Sequence, residues 1–161
     1  MISTLLSDFS RVWLFPKDKN YLGGLNELYD KLKKQGKFNF FDYFELNEEL
    51  LTKVKDWNQK LEIYIFTTGH IQNTPGVIER VKPLVKGIYS AEDLPINKLS
   101  PEGFVYMAQL IGKKSEEILY IDDKAANLER AQQAGTAICL YTENKLLFQH
   151  IDNLSNQSKS A

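Results

Sequence analysis

Two adjacent carboxylates, Asp122 and Asp123, follow the apolar run Ile118-Leu119-Tyr120-Ile121 and stand directly ahead of a helical pattern. A buried strand that delivers acids at its carboxyl end is a usual setting for chemistry in an open α/β sheet. Other apolar runs carry polar groups in the same relation. Thr67 and Thr68 end Ile63-Tyr64-Ile65-Phe66, Lys98 comes after Gly87-Ile88-Tyr89-Ser90, and Asp18 comes after Val12-Trp13-Leu14-Phe15. Hydroxyl, ammonium and carboxylates together are what phosphoryl chemistry uses. A Thr and a Lys hold phosphate oxygens, carboxylates hold Mg²⁺, and a further carboxylate attacks or moves a proton.

Those groups need a frame. Val12 to Phe15 reads as a strand buried on both faces, stopped by Pro16, which cannot donate to a ladder. Ala137 to Tyr141 reads as a fifth strand. Between the strands lie helical patterns. Leu25, Leu28, Tyr29 and Leu32 share one face ahead of Gly36, and Leu50, Leu51, Val54 and Trp57 share another behind the N-cap Asn47. Thr74-Pro75 opens a short helix with Val77, Ile78 and Val81, ended by Pro83. Ser100-Pro101 opens one with Phe104, Met107, Ala108 and Ile111, ahead of Gly112. The helix after the acidic pair carries Ala125, Leu128, Ala131 and Ala134 and stops at Gly135, and Asn144 to Ile151 closes the fold. This alternation predicts a doubly wound, Rossmann-like, mostly parallel five-stranded sheet with helices on both faces. Residues 1–154 form one domain on this reading, and 155–161 form a disordered polar tail. The aromatic run Phe38 to Phe44 reads as a flap or a hydrophobic plug and, where exposed, as a protein-binding surface.

Composition narrows the partners. With 161 residues and a net charge of -1, nothing advertises nucleic acid or a membrane surface. The single cysteine, Cys139, cannot form an intramolecular disulfide and suits a reducing compartment, so a cytoplasmic location is expected. No basic start precedes an apolar run at the N-terminus, and no stretch approaches the roughly 20 apolar residues of a membrane span. No zinc-ligand spacing or Walker-type glycine loop occurs. His70, after Thr67-Thr68-Gly69, reads as a passive loop histidine.

From Arg11 to about Tyr141 the residues resemble the haloacid dehalogenase superfamily of phosphatases and related hydrolases. The stretch ILYIDDKAANLERAQQAG is similar to that family's last motif, with Asp122, Asp123 and Asn127 on its positions. The segment from Ile88 through Lys98 to Phe104 resembles its Lys motif, with Leu99 where the family has Pro, and Ile65-Phe66-Thr67-Thr68-Gly69 resembles its Ser/Thr motif. The resemblance implies phosphate or anion binding by Thr67, Thr68, Lys98 and Asn127, and Mg²⁺ at Asp122 and Asp123. It also implies an Asp-x-Asp directly after strand one, the first Asp as nucleophile and metal ligand, the second as acid/base.

Aligned on Val12 to Phe15, that motif puts Pro16 on the nucleophile and Asp18 on the acid/base, with Asn20 replacing the usual Thr. The expectation is a catalytically impaired pseudophosphatase with weak or no Mg²⁺ binding. Such a module would bind a phosphate-like anion or a phosphorylated macromolecule in a crevice with Lys17, Lys19, Lys98 and Lys124 around its mouth; the alternative for Lys17, Lys19 and Lys124 is a simply solvated surface. The alternative is an active Mg²⁺-dependent phosphomonoester hydrolase using Asp18 in a shifted register. A receiver domain is disfavoured by chain order, because the acidic pair comes late and Lys98 precedes it. The stretch from Asn20 to Leu61 leaves room for a small cap at most.

Overall fold

The computed structural model describes residues 1–98 and 100–157, with side chains as far as residue 154. Its centre is a five-stranded sheet, every pairing parallel, in the order β5-β4-β1-β6-β7. The strands are β1 (Thr4–Ser7), β4 (Glu62–Thr67), β5 (Gly87–Ser90), β6 (Ile118–Asp122) and β7 (Ala137–Leu140). The remaining two, β2 (Leu14–Pro16) and β3 (Phe44–Leu46), pair antiparallel with each other outside the sheet.

Side-chain alternation along the central strands assigns the two faces. Leu5, Ile63, Ile65, Leu119 and Ile121 point into one core, together with Leu25 and Leu32 of α1 (Leu25–Gln35), Leu50, Val54 and Trp57 of α3 (Glu48–Trp57), and Leu147 and Ile151 of α7 (Asn144–Gln157). Leu6, Tyr64, Phe66 and Tyr120 point the other way. There they meet Phe104, Met107 and Ala108 of α5 (Pro101–Leu110) and Leu128 and Ala131 of α6 (Ala125–Gln133). The doubly wound α/β architecture predicted from the sequence is therefore present, and several local signals behave as their chemistry demands. The Asn47 side chain accepts the Leu50 N–H, Ser100 accepts the Gly103 N–H with Pro101 behind it, and Gly135 stands at φ 88° after α6.

The first strand is different from the one predicted. Thr4–Ser7 is the central strand, paired with β4 on one side and β6 on the other, and all four of its residues are buried. Val12 and Trp13 lie in a tight turn in which the N–H groups of Val12, Trp13 and Leu14 all approach the carbonyl of Phe9, with Arg11 at φ 59°. Their apolarity has another cause. Val12, Trp13 and Leu14 fill space between the sheet and α3, and Leu14 to Pro16 pair with β3, with a single bridge from Leu14 back to Ser10. Pro16 sits opposite Phe44 in that hairpin, away from the end of the parallel sheet.

Residues 17–43, between the two hairpin strands, hold α1 and the one-turn α2 (Phe40–Tyr43) and make the small insert. Most of the aromatic run is spent on packing here. Phe40 stacks on Phe44 at 4.6 Å, and Tyr29 meets both Phe38 and Phe40 edge-on, leaving Phe41 and Tyr43 exposed. The one-turn α4 (Ile78–Val81) starts later than Thr74 suggested, because the Thr74 hydroxyl donates to the Ile71 carbonyl instead of capping. At the C-terminus, α7 runs beyond Ile151 to Gln157, so residues 155–157 are helical and not part of a tail; residues 158–161 lie outside the described ones.

Candidate active site

The strand order reverses between β1 and β6, which opens a crevice at the carboxyl ends of the sheet. Into it the central strand delivers Asp8. The Asp8 N–H donates to the Ile121 carbonyl at 2.8 Å, which carries the ladder one residue past β1 and fixes the carboxylate between the ends of β4 and β6. Phe9 is fully buried in the core, while Asp8 and Ser10 on either side of it line the same cavity. The turn is anchored beneath: the Trp13 indole donates to Ser7 Oγ at 2.9 Å, and Ser7 Oγ donates to the Asp8 carbonyl at 2.7 Å.

Lys98 reaches this point from the far side. Its side chain is 2% exposed, its ammonium bonds to Asp8 Oδ1, and Asp122 Oδ2 lies 3.9 Å away. The ammonium also stands 5.3 Å and 5.9 Å from the ring centroids of Phe66 and Tyr120. Gly103 is what lets the chain pass so close to α5: a Cβ there would meet the Asn97 carbonyl oxygen at 2.3 Å.

Asp122 is wholly buried and fully engaged. Its Oδ2 accepts from the Tyr120 hydroxyl and from Asn127 Nδ2 at 2.9 Å, and its Oδ1 accepts the Lys124 N–H at 2.9 Å. The carboxylates of Asp8, Asp122 and Asp123 bring oxygens within 4.8 Å of one another. Three acids thus face one buried ammonium. Burial, then the charges of Asp122 and Asp8, push Asp123 up to about 6. Asp8 is also raised, chiefly by burial and further by Asp122, with Lys98 opposing. Burial, with the same carboxylates adding to it, holds the Tyr120 hydroxyl well above its ordinary value, so it stays a hydrogen-bond donor.

The crevice has a volume of about 280 Å³. Thr67, at the end of β4 and almost fully buried, lines it with Thr68, Lys98, Asp123, Lys124 and Asn127. The structure therefore brings together five of the residues singled out from the sequence around Asp122, with Lys124 as well. Asp18 is not among them. It is exposed, its carboxylate accepts the Asn20 N–H in a local turn, and it lies outside the cavity lining. Lys17 and Lys19 are exposed on the insert side, Lys19 against Glu45, and neither lines the cavity. His70 is likewise outside, held between Glu92 at 3.2 Å and Asp93 at 2.9 Å. Asp8 thus adds a third carboxylate to Asp122 and Asp123, and Pro16 lies away from them, in the hairpin opposite Phe44.

Sequence reasoning passed over Asp8, Ser10 and Arg11. The available signal was an acid immediately behind Leu5-Leu6-Ser7, obscured by the polar Thr4 and Ser7 at either end of the strand. In place, Asp8-Phe9-Ser10 stands where the resemblance calls for Asp-x-Asp, a carboxylate first and a hydroxyl second. Arg11 closes the near wall, its guanidinium donating to the Tyr21 and Gly23 carbonyls at 2.8 Å and 2.9 Å.

A family model, the haloacid dehalogenase-like hydrolases, matches residues 12–135. The chain belongs to this family. The match begins beyond Ser10, so Asp8 is placed by the structure alone. No curated protein matches the sequence. Among solved structures, the chain is similar to a HAD family enzyme of Bacteroides thetaiotaomicron in complex with magnesium and inorganic phosphate. Identity is 16%, the TM-score is 0.63, and the match covers 89% of this chain and 96% of that one. It is also similar to a HAD-superfamily hydrolase of Ehrlichia chaffeensis (16% identity, TM-score 0.65, 98% of each chain). A third, a subfamily IA hydrolase of Geobacter sulfurreducens, shares 11% identity at TM-score 0.64, covering 88% of this chain and 90% of the other. At these identities the likeness is one of fold. Among the described residues, no helix is long and apolar enough to cross a membrane.

Proposed function

We propose that this chain is a phosphoryl hydrolase in which Asp8 is the nucleophile. The observation that carries the reading is the position of Asp8, at the carboxyl end of the central strand, bonded to a buried lysine and beside Asp122 and Asp123. A phosphoryl group entering the cavity would lie against the hydroxyl of Thr67 and the ammonium of Lys98, which oppose the charge on its oxygens. The cavity is near the low end of ligand-pocket sizes, about 300–1,000 Å³, which suits a phosphoryl group with a small portion of its ester. Asp8 would attack phosphorus as the bond from phosphorus to the ester oxygen breaks, releasing the alcohol portion and forming an aspartyl phosphate that water hydrolyses to inorganic phosphate and the free carboxylate. Lys98 keeps the Asp8 carboxylate oriented, and Asn127 and the Lys124 N–H hold Asp122 beneath it.

Asp8, Asp122 and Asp123 fit a divalent cation. Their oxygens cluster, and three carboxylates face the one buried ammonium of Lys98. Mg²⁺ bound there would supply Lewis-acid neutralisation of phosphoryl oxygens. The similar Bacteroides enzyme, in complex with magnesium and inorganic phosphate, supports the reading without deciding it.

The deciding experiment is a Mg²⁺-dependent assay with an activated phosphoester on the natural chain beside Asp8→Asn, Asp18→Asn and Pro16→Asp. The expected result is loss of turnover in Asp8→Asn alone, with thermal melts confirming that the variant is folded. Turnover lost with Asp18→Asn but kept in Asp8→Asn would restore the shifted-register reading. No turnover in the natural chain, with activity only in Pro16→Asp, would restore the pseudophosphatase.

A further inference from the structure

On the Asp8 reading, a proton must still reach the departing ester oxygen, and the next cavity-lining residue along the chain is Ser10. Asp8 and Ser10 line one side of the cavity because they flank the buried Phe9 in an extended stretch. Both positions open on one cavity of about 280 Å³, so a side chain at the second stands near a phosphoryl group seated on the first. The second carries a hydroxyl, whose pKa is far too high to donate a proton to an alkoxide usefully at neutral pH.

Among the described residues, the other ionisable groups at or beside the cavity are placed elsewhere: Lys124 stands exposed at its edge, where its charge acts on Asp123. The Arg11 guanidinium is tied to the Tyr21 and Gly23 carbonyls. His70 lies outside the cavity and is held by Glu92 and Asp93. Asp123 belongs to the carboxylate cluster assigned above to the cation. Lys98 is bonded to Asp8 on the nucleophile side.

We infer, on the basis of the Asp8 reading, that Ser10 restricts this site to phosphoryl donors whose leaving group departs without a proton, such as acyl, enol or electron-poor aryl phosphates. An Asp8 carboxylate oxygen forms a bond to phosphorus as the bond from phosphorus to the ester oxygen breaks. The leaving oxygen keeps the electron pair and is stable as the anion, taking any proton later from solvent. Water then attacks the aspartyl phosphate, giving inorganic phosphate, the free Asp8 carboxylate and a proton released to solvent. With no carboxylate at position 10 to draw that proton away, the second step is slow and the aspartyl phosphate accumulates.

Pre-steady-state kinetics with substrate in excess over enzyme test this with dinitrophenyl, nitrophenyl and unsubstituted phenyl phosphate and one alkyl phosphate, each with Mg²⁺, in the natural chain, Ser10→Asp and Ser10→Ala. The expected natural rates fall steeply along that series, with a burst of phenolate that marks the accumulating intermediate. Ser10→Asp is expected to flatten the series, raising the alkyl phosphate by about 10²–10⁴-fold, the usual worth of a placed acid/base group. Ser10→Ala, the check against a variant that misfolds, is expected to keep the steep series. Alkyl and dinitrophenyl phosphate turned over at similar rates by the natural chain would overturn the inference while leaving Asp8 as nucleophile. So would a folded Ser10→Asp with an unchanged slope. No phenolate from even dinitrophenyl phosphate, in the natural chain and in Ser10→Asp alike, would overturn the Asp8 reading and this inference with it.

Discussion

Replacing Lys98 by methionine removes the one ammonium bonded to Asp8 among the described residues and leaves two buried carboxylates facing each other. At an effective dielectric of about 20, unit charges near 4 Å apart interact by about 4 kcal/mol, which is the scale of the contact from Lys98 to Asp122 at 3.9 Å. The closer contact to Asp8 is larger. Against these losses stands the desolvation of the ammonium, several kcal/mol, which the variant no longer bears. Methionine also fits the apolar surroundings given by the Phe66 and Tyr120 rings. The net expectation is the usual cost of breaking a buried pair on one side, about 3–5 kcal/mol. For a chain of this size that lowers the melting temperature by roughly 6–20 °C, at about 2–4 °C per kcal/mol. The pH dependence has a definite sign. Asp8 already titrates above the ordinary carboxylate range because burial outweighs Lys98, and removing Lys98 raises it further. A carboxylate raised on folding costs stability only where it is ionised, so its cost vanishes below the unfolded value and is complete above the folded one. The deficit of Lys98→Met should therefore be largest at pH 7.5 and shrink toward pH 4.5, measured by urea denaturation at both. A variant within about 1 kcal/mol of the natural chain at pH 7.5, the lower bound for such a pair being about 3, would refute the argument. A deficit that widens on acidification would do the same.

Three further outcomes are expected. Mg²⁺ should raise the melting temperature more at pH 7.5 than at pH 5, because Asp123, titrating near 6, carries its charge only at the higher pH; equal shifts in a calorimetric scan would count against the carboxylate cluster as the metal site. Gly103→Ala places a Cβ against the Asn97 carbonyl oxygen, so the start of α5 or the Lys98 segment must move; a loss of about 1–3 kcal/mol is expected, with weaker phosphate binding by calorimetry. Asn47→Ala removes the cap on α3 and orphans the Val12 carbonyl, to which Asn47 Nδ2 donates at 2.8 Å; about 2–4 kcal/mol should be lost in urea denaturation.

The sequence made β4, β5, β6 and α6 legible because each element's own side chains state its role. Ile63 to Phe66 and Ile118 to Ile121 are apolar on both faces, as buried parallel strands must be, and Asn47, Ser100 and Gly135 mark helix ends by local hydrogen bonding or backbone freedom. The first strand gave no such statement. Thr4 and Ser7 are fully buried yet polar, and the neighbouring Val12, Trp13 and Leu14 are more apolar although none of them joins the parallel sheet. Local periodicity measures burial, and here a turn packed under α3 is as buried as a strand. The difference lies in long-range partners: Leu6 pairs with Tyr64 and Tyr120, far away in the chain. Once the strand is placed, the residue that disguised it has a use. The Ser7 hydroxyl takes the Trp13 indole N–H and gives its own proton to the Asp8 carbonyl, so it ties the end of β1 to the turn that carries Ser10. A valine at position 7 would have made the strand readable, and it would have left the indole N–H and that carbonyl without these bonds, directly beneath the carboxylate on which the proposed chemistry depends.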